Sequence, residues 1–394
     1  MPGARQQGNK VPGPDVTAAD ILVIGAGMAG CAAAYELAAG ASVIVLEAEA
    51  QPGYHATGRS AALFSETYGP APVRALTRAG RRFLEAPPAG FATHPLLGAR
   101  GIMFAATPEQ MPVLEGLVAE IGALTDMERL NPAGAAALVP VLRPDLLAGA
   151  ALERGAMDLD VHALHAGYQQ GLRARGGRLL GSAGATAIAR QGGRWQVDTP
   201  QGRFAAPVLV NAAGAWGDAV AALAGVAPLG LVPKRRTAIL FDPPAGMDAA
   251  SWPMVVDAEE RFYFKPDAGR ILGSPADATP SLPCDAQPEE IDVATAAWRI
   301  EEATSLTIAR IHHRWAGLRT FSPDGVPVAG FEPAAEGFFW LVGQGGYGIQ
   351  TAPAMAQLAA ALIGGTPLPP DLARAGVAPA DLAPRRPSLA EGVP

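Results

Sequence analysis

Ile21-Leu22-Val23-Ile24-Gly25-Ala26-Gly27-Met28-Ala29-Gly30 reads as a buried strand running into a glycine turn, and Cys31 to Ala39 continues it as an alanine-rich helix. A continuous apolar run of this kind is the pattern of a strand covered on both faces. Ser42-Val43-Ile44-Val45-Leu46-Glu47 is a second buried strand that ends in an acid. The strand–helix–strand unit takes about 30 residues, the size expected of a βαβ unit. G-x-G-x-x-G alone is weak, but here it stands between strand and helix, with an acid closing the second strand. Gly25 permits the tight turn, Gly27 allows close approach to a pyrophosphate, and Gly30 lets helix and strand pack. The helix N-terminus favours the phosphate charge, and Glu47 is placed to accept from a ribose hydroxyl. The unit is Rossmann-like and predicts a dinucleotide site.

Which dinucleotide is decided further along the chain. Asn211-Ala212-Ala213-Gly214-Ala215-Trp216 closes a strand after a small β-meander. The late stretch "VGQGGYGIQTAPAMAQLAAAL", from Val342 to Leu362, forms a second glycine turn that opens a long helix. A helix N-terminus there stabilises negative charge on a reduced isoalloxazine ring. An NAD enzyme has no need of this late element, so FAD is favoured.

The 394 residues exceed one compact domain and suggest two or three. With 17% charged and 49% apolar residues and a net charge of −7, the chain reads as globular, with no general reason to bind nucleic acid. Cys31 and Cys284 offer neither a disulfide framework nor metal-ligand spacing and fit a reducing compartment. His162 and His165, or His312 and His313, lack acidic or cysteine partners nearby, so no metal is expected. His55 reads as a histidine that structures its loop. Residues 1–19 carry no apolar signal core and read as a tail. No run of about 18 uninterrupted apolar residues occurs, so no transmembrane segment is expected and a cytoplasmic location is inferred.

Beyond the glycine turn, "QPGYHATGRSAA", "PPAGFATHPLL", "VLVNAAGAWGDAVAALAGVAPLGLVPKRR", "FYFKPDAG", "LGSPA", "WAGLRTF" and "GGYGIQT" resemble the D-amino acid oxidase-like family of FAD-dependent oxidoreductases. The likeness runs from about Asp20 to Leu372 and is strongest to the FAD-dependent D-arginine dehydrogenases. The resemblance implies an α/β fold, with a Rossmann-like FAD-binding domain interleaved with an α+β substrate domain built on an antiparallel sheet. The expected FAD-binding segments are 20–93, 148–214 and 322–372. The substrate domain is expected over 94–147 and 215–321, and residues 373–394 read as a poorly ordered tail.

By the same resemblance, non-covalent FAD meets Gly25, Gly27, Met28, Ala29, Gly30, Glu47 and Ala48, then Thr57, Gly58, Arg59, Ser60 and Ala61. It continues past Ala213, Gly214, Trp216 and Gly317 to Gly345, Gly346, Tyr347, Gly348, Ile349 and Gln350. Arg319, Tyr263 and Arg236 match positions that clamp an amino acid carboxylate, which a guanidinium fork and a phenol suit chemically. The chemistry implied is transfer of the Cα hydrogen, as hydride, to flavin N5, giving an imino acid that water converts to a 2-oxo acid. No general base is nominated.

Two pocket positions depart from the D-arginine dehydrogenase pattern. Leu63 stands where that family carries a histidine, and Ile102 where it carries an acid. With Tyr68 on an expected lid (Ser65 to Pro70), Met254, Val256 and Gln350, the pocket reads as apolar. An unpaired buried cation costs several kcal/mol, so neutral side chains are preferred over D-arginine. Residues 269–273 carry no lysine of the kind that sarcosine oxidase-like relatives place over the flavin, which points to a dehydrogenase with a quinone or other acceptor. Arg270 leaves oxygen open. The alternatives are an oxidase of glycine, sarcosine or another secondary amine, a D-arginine dehydrogenase with a differently built pocket, and a flavin-binding protein without catalysis.

Overall fold

A computed structural model describes residues 16–122 and 125–391. Residues 1–15, 123–124 and 392–394 lie outside the described residues, and with them most of the expected N-terminal tail.

The apolar runs of the opening stretch become the strands Ile21–Ile24 and Val43–Leu46, buried at every position. They sit in a six-stranded sheet of order Arg178–Leu180, Val43–Leu46, Ile21–Ile24, Val208–Asn211, Phe338–Val342 and Val328–Phe331. The first five strands are parallel and the last is antiparallel. The helices Met28–Leu37, Val161–Ala174 and Ala352–Gly364 pack in one core with its apolar side chains. Asp160 caps the second of these helices by accepting from Ala163 N at 2.7 Å. The meander Ala187–Gln191, Arg194–Thr199 and Gly202–Ala206 pairs with Val16–Ala18, so part of the expected N-terminal tail is a strand.

The second half of the molecule is built on a nine-stranded sheet in which Val232–Phe241 pairs antiparallel with Ile311–Phe321. Gly149–Glu153 pairs with Ile102–Ala106 in this same sheet. The boundary expected at residue 148 is therefore displaced, because Gly149–Glu153 needs the substrate sheet to satisfy its backbone. A small sheet of Leu63–Phe64, Met157–Leu159 and Leu97–Ala99 joins segments assigned to different domains.

The tail expected from residue 373 is ordered in the structure through Glu391. Pro370 begins the turn Pro370–Arg374 that leads into it, and its own prolines begin Pro379–Leu382 and Pro387–Glu391, where a missing N–H costs nothing. Leu372, Val377 and Leu382 bury themselves in the main core. The buried Arg386 then grips the half-buried Asp324 through two bonds of 2.6 and 2.7 Å, and Ser388 adds a third at 2.6 Å. Burial alone would raise the Asp324 carboxyl, but Arg386, Ser388 and the Val326 N–H hold it far below the usual carboxylate range.

A carboxyl lowered in the folded state stabilises above its unfolded value of about 3.9, and that stability is lost as pH falls through the folded value. Asp324→Asn leaves Arg386 buried and unpaired, so unfolding is expected to become easier by about 3–5 kcal/mol at neutral pH. Thermal melts at pH 7 and in strong acid check this: the gap between wild type and variant should close only in acid.

Candidate active site

The carboxyl ends of the parallel strands open onto a cavity of about 450 Å³ that runs from the glycine turn to the substrate sheet. Strand Ile21–Ile24 turns into helix Met28–Leu37 through Gly25, whose φ of +100° suits glycine alone. A Cβ at Gly30 would stand 1.9 Å from the Gly25 carbonyl oxygen, so helix and turn touch there. Gly27 at the N-cap has no side chain to cap the helix, Met28 N donates to Thr57 Oγ1 at 2.9 Å, and Gly27 and Met28 face the cavity. Its first amide groups therefore face the space where a pyrophosphate fits. Glu47 is buried at the end of the second strand, accepts from Ala26 N at 2.6 Å and Glu49 N at 2.9 Å, and borders the same cavity.

Most of the expected cofactor residues line this cavity: Gly25, Gly27, Met28, Ala29, Glu47, Ala48, Thr57, Arg59, Ser60, Ala61, Ala213, Gly214, Trp216, Gly317, Gly345, Gly346, Gly348 and Ile349. The amide groups of the glycine turn, Glu47 and a cavity continuous from that turn to Arg319 and Tyr263 fit a flavin adenine dinucleotide. Four expected residues do other work. Gly30 packs against the turn, and Gly58 N closes its loop on Gly53 O at 2.8 Å. Tyr347 stacks edge-on with Tyr68 at 4.9 Å. Gln350 is 2% exposed and spends its amide on Ser65 N at 3.1 Å and Thr77 Oγ1 at 2.9 Å, which removes it from cofactor and pocket alike.

The residues expected to clamp a carboxylate come from three strands of the substrate sheet, Arg319 and Arg236 from neighbouring strands and Tyr263 from one further across. Register pairs Lys234 with Arg319 and Arg236 with Gly317, so both arginines share the sheet face turned to the cavity. Arg319 Nη1 donates to the Tyr68 hydroxyl at 3.3 Å, and both lie just over 3 Å from a notional Cβ on Gly346. The Arg236 guanidinium lies 5.9 Å from the Tyr263 ring centre, and both side chains border the cavity. Burial would raise the Tyr263 phenol, but Arg319 and Arg236 outweigh it and bring it below the ordinary tyrosine value. Burial likewise opposes charge on Arg319, yet the oxygens of Tyr68 and Tyr263 more than offset it and hold the guanidinium protonated. The result is a concentrated positive site with planar donors, suited to a carboxylate.

Beside the clamp, Leu63, Ile102, Met254 and Val256 form one apolar cluster with Tyr263, Ala61 and Ala238. Cross-strand pairs run Tyr263–Val256–Phe104 and Met254–Ile102–Glu153, so the cluster ends in a buried acid. Of the cluster only Ala61, Ala238 and Tyr263 border the cavity; the expected pocket residues Leu63, Tyr68, Ile102, Met254 and Val256 lie behind that lining. The segment expected to be a lid is fastened here. Glu153 Oε2 accepts from Ser65 Oγ at 2.9 Å and Thr67 Oγ1 at 2.6 Å, and all three residues are buried. Burial pushes the Glu153 carboxyl up, and the two hydroxyls partly offset it.

Arg270 turns to Asp242 at 3.3 Å, and Lys265, buried two residues beyond Tyr263, bonds Asp158 at 2.7 Å. His55 bonds Glu49 at 2.9 Å and packs against Trp216, and His165 holds Ala26 O at 3.0 Å. No cluster of metal-binding side chains occurs among the described residues.

Several lining residues escaped the sequence reading. Cys284, Ala286, Gln344, Gly184 and Ala185 border the cavity. The loop at 285 also holds Arg59, through Asp285 Oδ1 at 2.5 Å and Ala286 O at 2.9 Å. Only the fold brings these segments together. Glu153 left a signal, an acid closing the apolar run Gly149 to Leu152.

A family model described as FAD dependent oxidoreductase, DAO, matches residues 20–362. Among curated relatives, glycine oxidase of Pseudomonas aeruginosa is 31% identical over 176 residues, 43% of this chain and 45% of that protein. The chain spans less than half the length of the curated relatives it matches first. Among solved structures, glycine oxidase from Geobacillus kaustophilus shares the fold, with a TM-score of 0.77 and 23% identity over 89% of this chain and 96% of that one. L-amino acid deaminase from Proteus vulgaris shares it too, with a TM-score of 0.78 and 16% identity over 95% and 99%. No described helix is long and apolar enough to cross a membrane. The glycine turn, the cavity it opens and the match across most of the chain agree: the protein belongs to the DAO family of FAD-dependent oxidoreductases.

Proposed function

We propose that the chain is a dehydrogenase of neutral, apolar D-amino acids. The observation that supports this most is the meeting of Arg319 and Tyr68 at Gly346, beside the wall formed by Leu63, Ile102, Met254 and Val256. Arg319 takes the substrate carboxylate through its planar fork, and Arg236, Tyr263 and Tyr68 complete the ring of donors. The side chain then lies along the apolar cluster, and the acid at its end, Glu153, is already engaged by the Ser65 and Thr67 hydroxyls, which disfavours a cationic side chain. Gripped at both ends, the substrate holds its Cα in one orientation, which is the main work asked of the protein. Bound FAD supplies a two-electron acceptor at its ring. The positive site keeps the carboxylate anchored while the amine loses its proton to water, and the imino acid is hydrolysed after release.

The D configuration rests on the resemblance to D-arginine dehydrogenases. The engagement of Arg270 and Lys265 by acids favours a quinone or other organic acceptor over oxygen. A second reading, an oxidase of a small amine, draws on the likeness to glycine oxidase over 176 residues.

Steady-state kinetics with D-leucine, D-methionine, D-phenylalanine, D-arginine and glycine separate these readings. The apolar wall predicts kcat/KM for D-leucine about 100-fold or more above that for D-arginine, since a buried unpaired charge costs several kcal/mol. D-arginine as the best substrate overturns the proposal, and glycine as the best substrate favours the second reading.

A further inference from the structure

We propose that Glu153 is a positioning residue of the carboxylate clamp, acting through Ser65, Thr67 and Tyr68 on Arg319. This rests on the reading of Arg319 as the carboxylate ligand. Glu153 is 2% exposed and ends the strand Gly149–Glu153, directly opposite Ile102 on the pocket face of the substrate sheet. A buried acid in that place is costly unless donors meet it, and it meets two hydroxyls from the segment just before Tyr68. Ser65 Oγ and Thr67 Oγ1 also lie 2.8 Å apart, so the three groups form one knot.

The same segment is held from the other side, where Ser65 N donates to the Gln350 amide oxygen. Gln350 in turn donates to Thr77 Oγ1 on the helix Ala71–Glu85. Backbone from 65 to 67 is thereby fixed between substrate sheet and FAD-binding core. The next residue is Tyr68, whose hydroxyl accepts from Arg319 Nη1. With a fixed backbone, Tyr68 meets Arg319 without a search over loop conformations. With a loose one, the arginine loses an orienting partner and the site must order itself on each binding event.

A purely structural Glu153 would change stability and leave the clamp alone, so the test reads the clamp. Benzoate serves as a probe that needs the clamp but undergoes no oxidation, its binding followed by the shift in flavin absorbance of the FAD-loaded enzyme. Glu153→Met should weaken benzoate binding and raise KM about tenfold while kcat stays within about threefold, the signature of lost ground-state positioning. Glu153→Gln, which keeps an acceptor for the hydroxyls, should restore most of the affinity. Because both act through one group, Glu153→Met combined with Tyr68→Phe should be no worse than the poorer single variant, within about twofold.

Unchanged benzoate affinity in folded Glu153→Met, or independent multiplying effects of the two variants, overturns the proposal. If Glu153→Met does not fold, Thr67→Val removes one donor only and should weaken benzoate about threefold, a wild-type affinity then overturning it. Benzoate binding by an enzyme that oxidises no amino acid refutes the proposed function and leaves this inference standing.

Discussion

Arg319→Met is expected to lower kcat/KM for the amino acid about 1,000-fold while the protein still purifies with FAD. The estimate follows from what the side chain does. Hydrogen bonds to charged groups are worth about 1.5–3 kcal/mol each, and a guanidinium fork makes two of them to a carboxylate. Their loss is about 4 kcal/mol, or close to three powers of ten. Arg319 sits where strand Ile311–Phe321 turns its side chain to the cavity, beside Tyr68 and across from the Tyr263–Arg236 pair. Methionine matches the length but leaves the Tyr68 hydroxyl and the carboxylate without a cation. Arg319→Lys keeps the charge and loses the fork, so it should fall between the two, about 100-fold below wild type. Steady-state kinetics on preparations matched for flavin content check this, and a loss under tenfold for Arg319→Met would mean that the carboxylate sits elsewhere.

The second large effect lies at the other end of the cavity. A Cβ at Gly30 falls 1.9 Å from the Gly25 oxygen, a backbone atom in a turn that already uses a φ of +100°. Helix Met28–Leu37 must then move away from the strand, so Gly30→Ala is expected to lose both FAD and several degrees of melting temperature. Gly27→Ala is the informative contrast. Its Cβ would meet only Thr57 Oγ1 at 3.4 Å, an ordinary contact, so the apoprotein should melt near wild type. Yet Gly27 faces the cavity, and a methyl group there stands where the pyrophosphate approaches. FAD affinity should drop at least about tenfold, about 1.4 kcal/mol, which flavin fluorescence titration reads directly. Equal stability loss in both variants would contradict this division of labour between packing and binding.

These two ends of the site differ in how far the sequence discloses them. The cofactor end is local: strand, turn, helix and acid lie within Ile21 to Glu47, and each residue's role follows from its place in that unit. Arg319, Tyr263 and Arg236 come from three strands, and only the resemblance joined them before the fold did. Gln350 shows where motif reading misleads, because its motif borders the flavin site while its side chain points into a buried bond with Ser65. Nothing in sequence separates those two directions. The partners of Glu153 and of Asp285 are legible only after folding, since they lie 86 or more residues away. The C-terminal segment shows how composition alone misleads. Proline density resembles a disordered tail, but Leu372, Val377, Leu382 and Arg386 recur often enough to pin each short helix to the core.

The family and its cofactor site give the class of chemistry, and the proposed substrate rests on Arg319 and its neighbours together with the apolar cluster. Anaerobic mixing of the FAD-loaded protein with D-leucine and with L-leucine tests that union most directly. The account predicts that D-leucine bleaches the oxidised flavin absorbance in wild type, that L-leucine does not, and that Arg319→Met abolishes the D-leucine response. Flavin that stays oxidised with D-leucine, or that bleaches equally with its enantiomer, contradicts it.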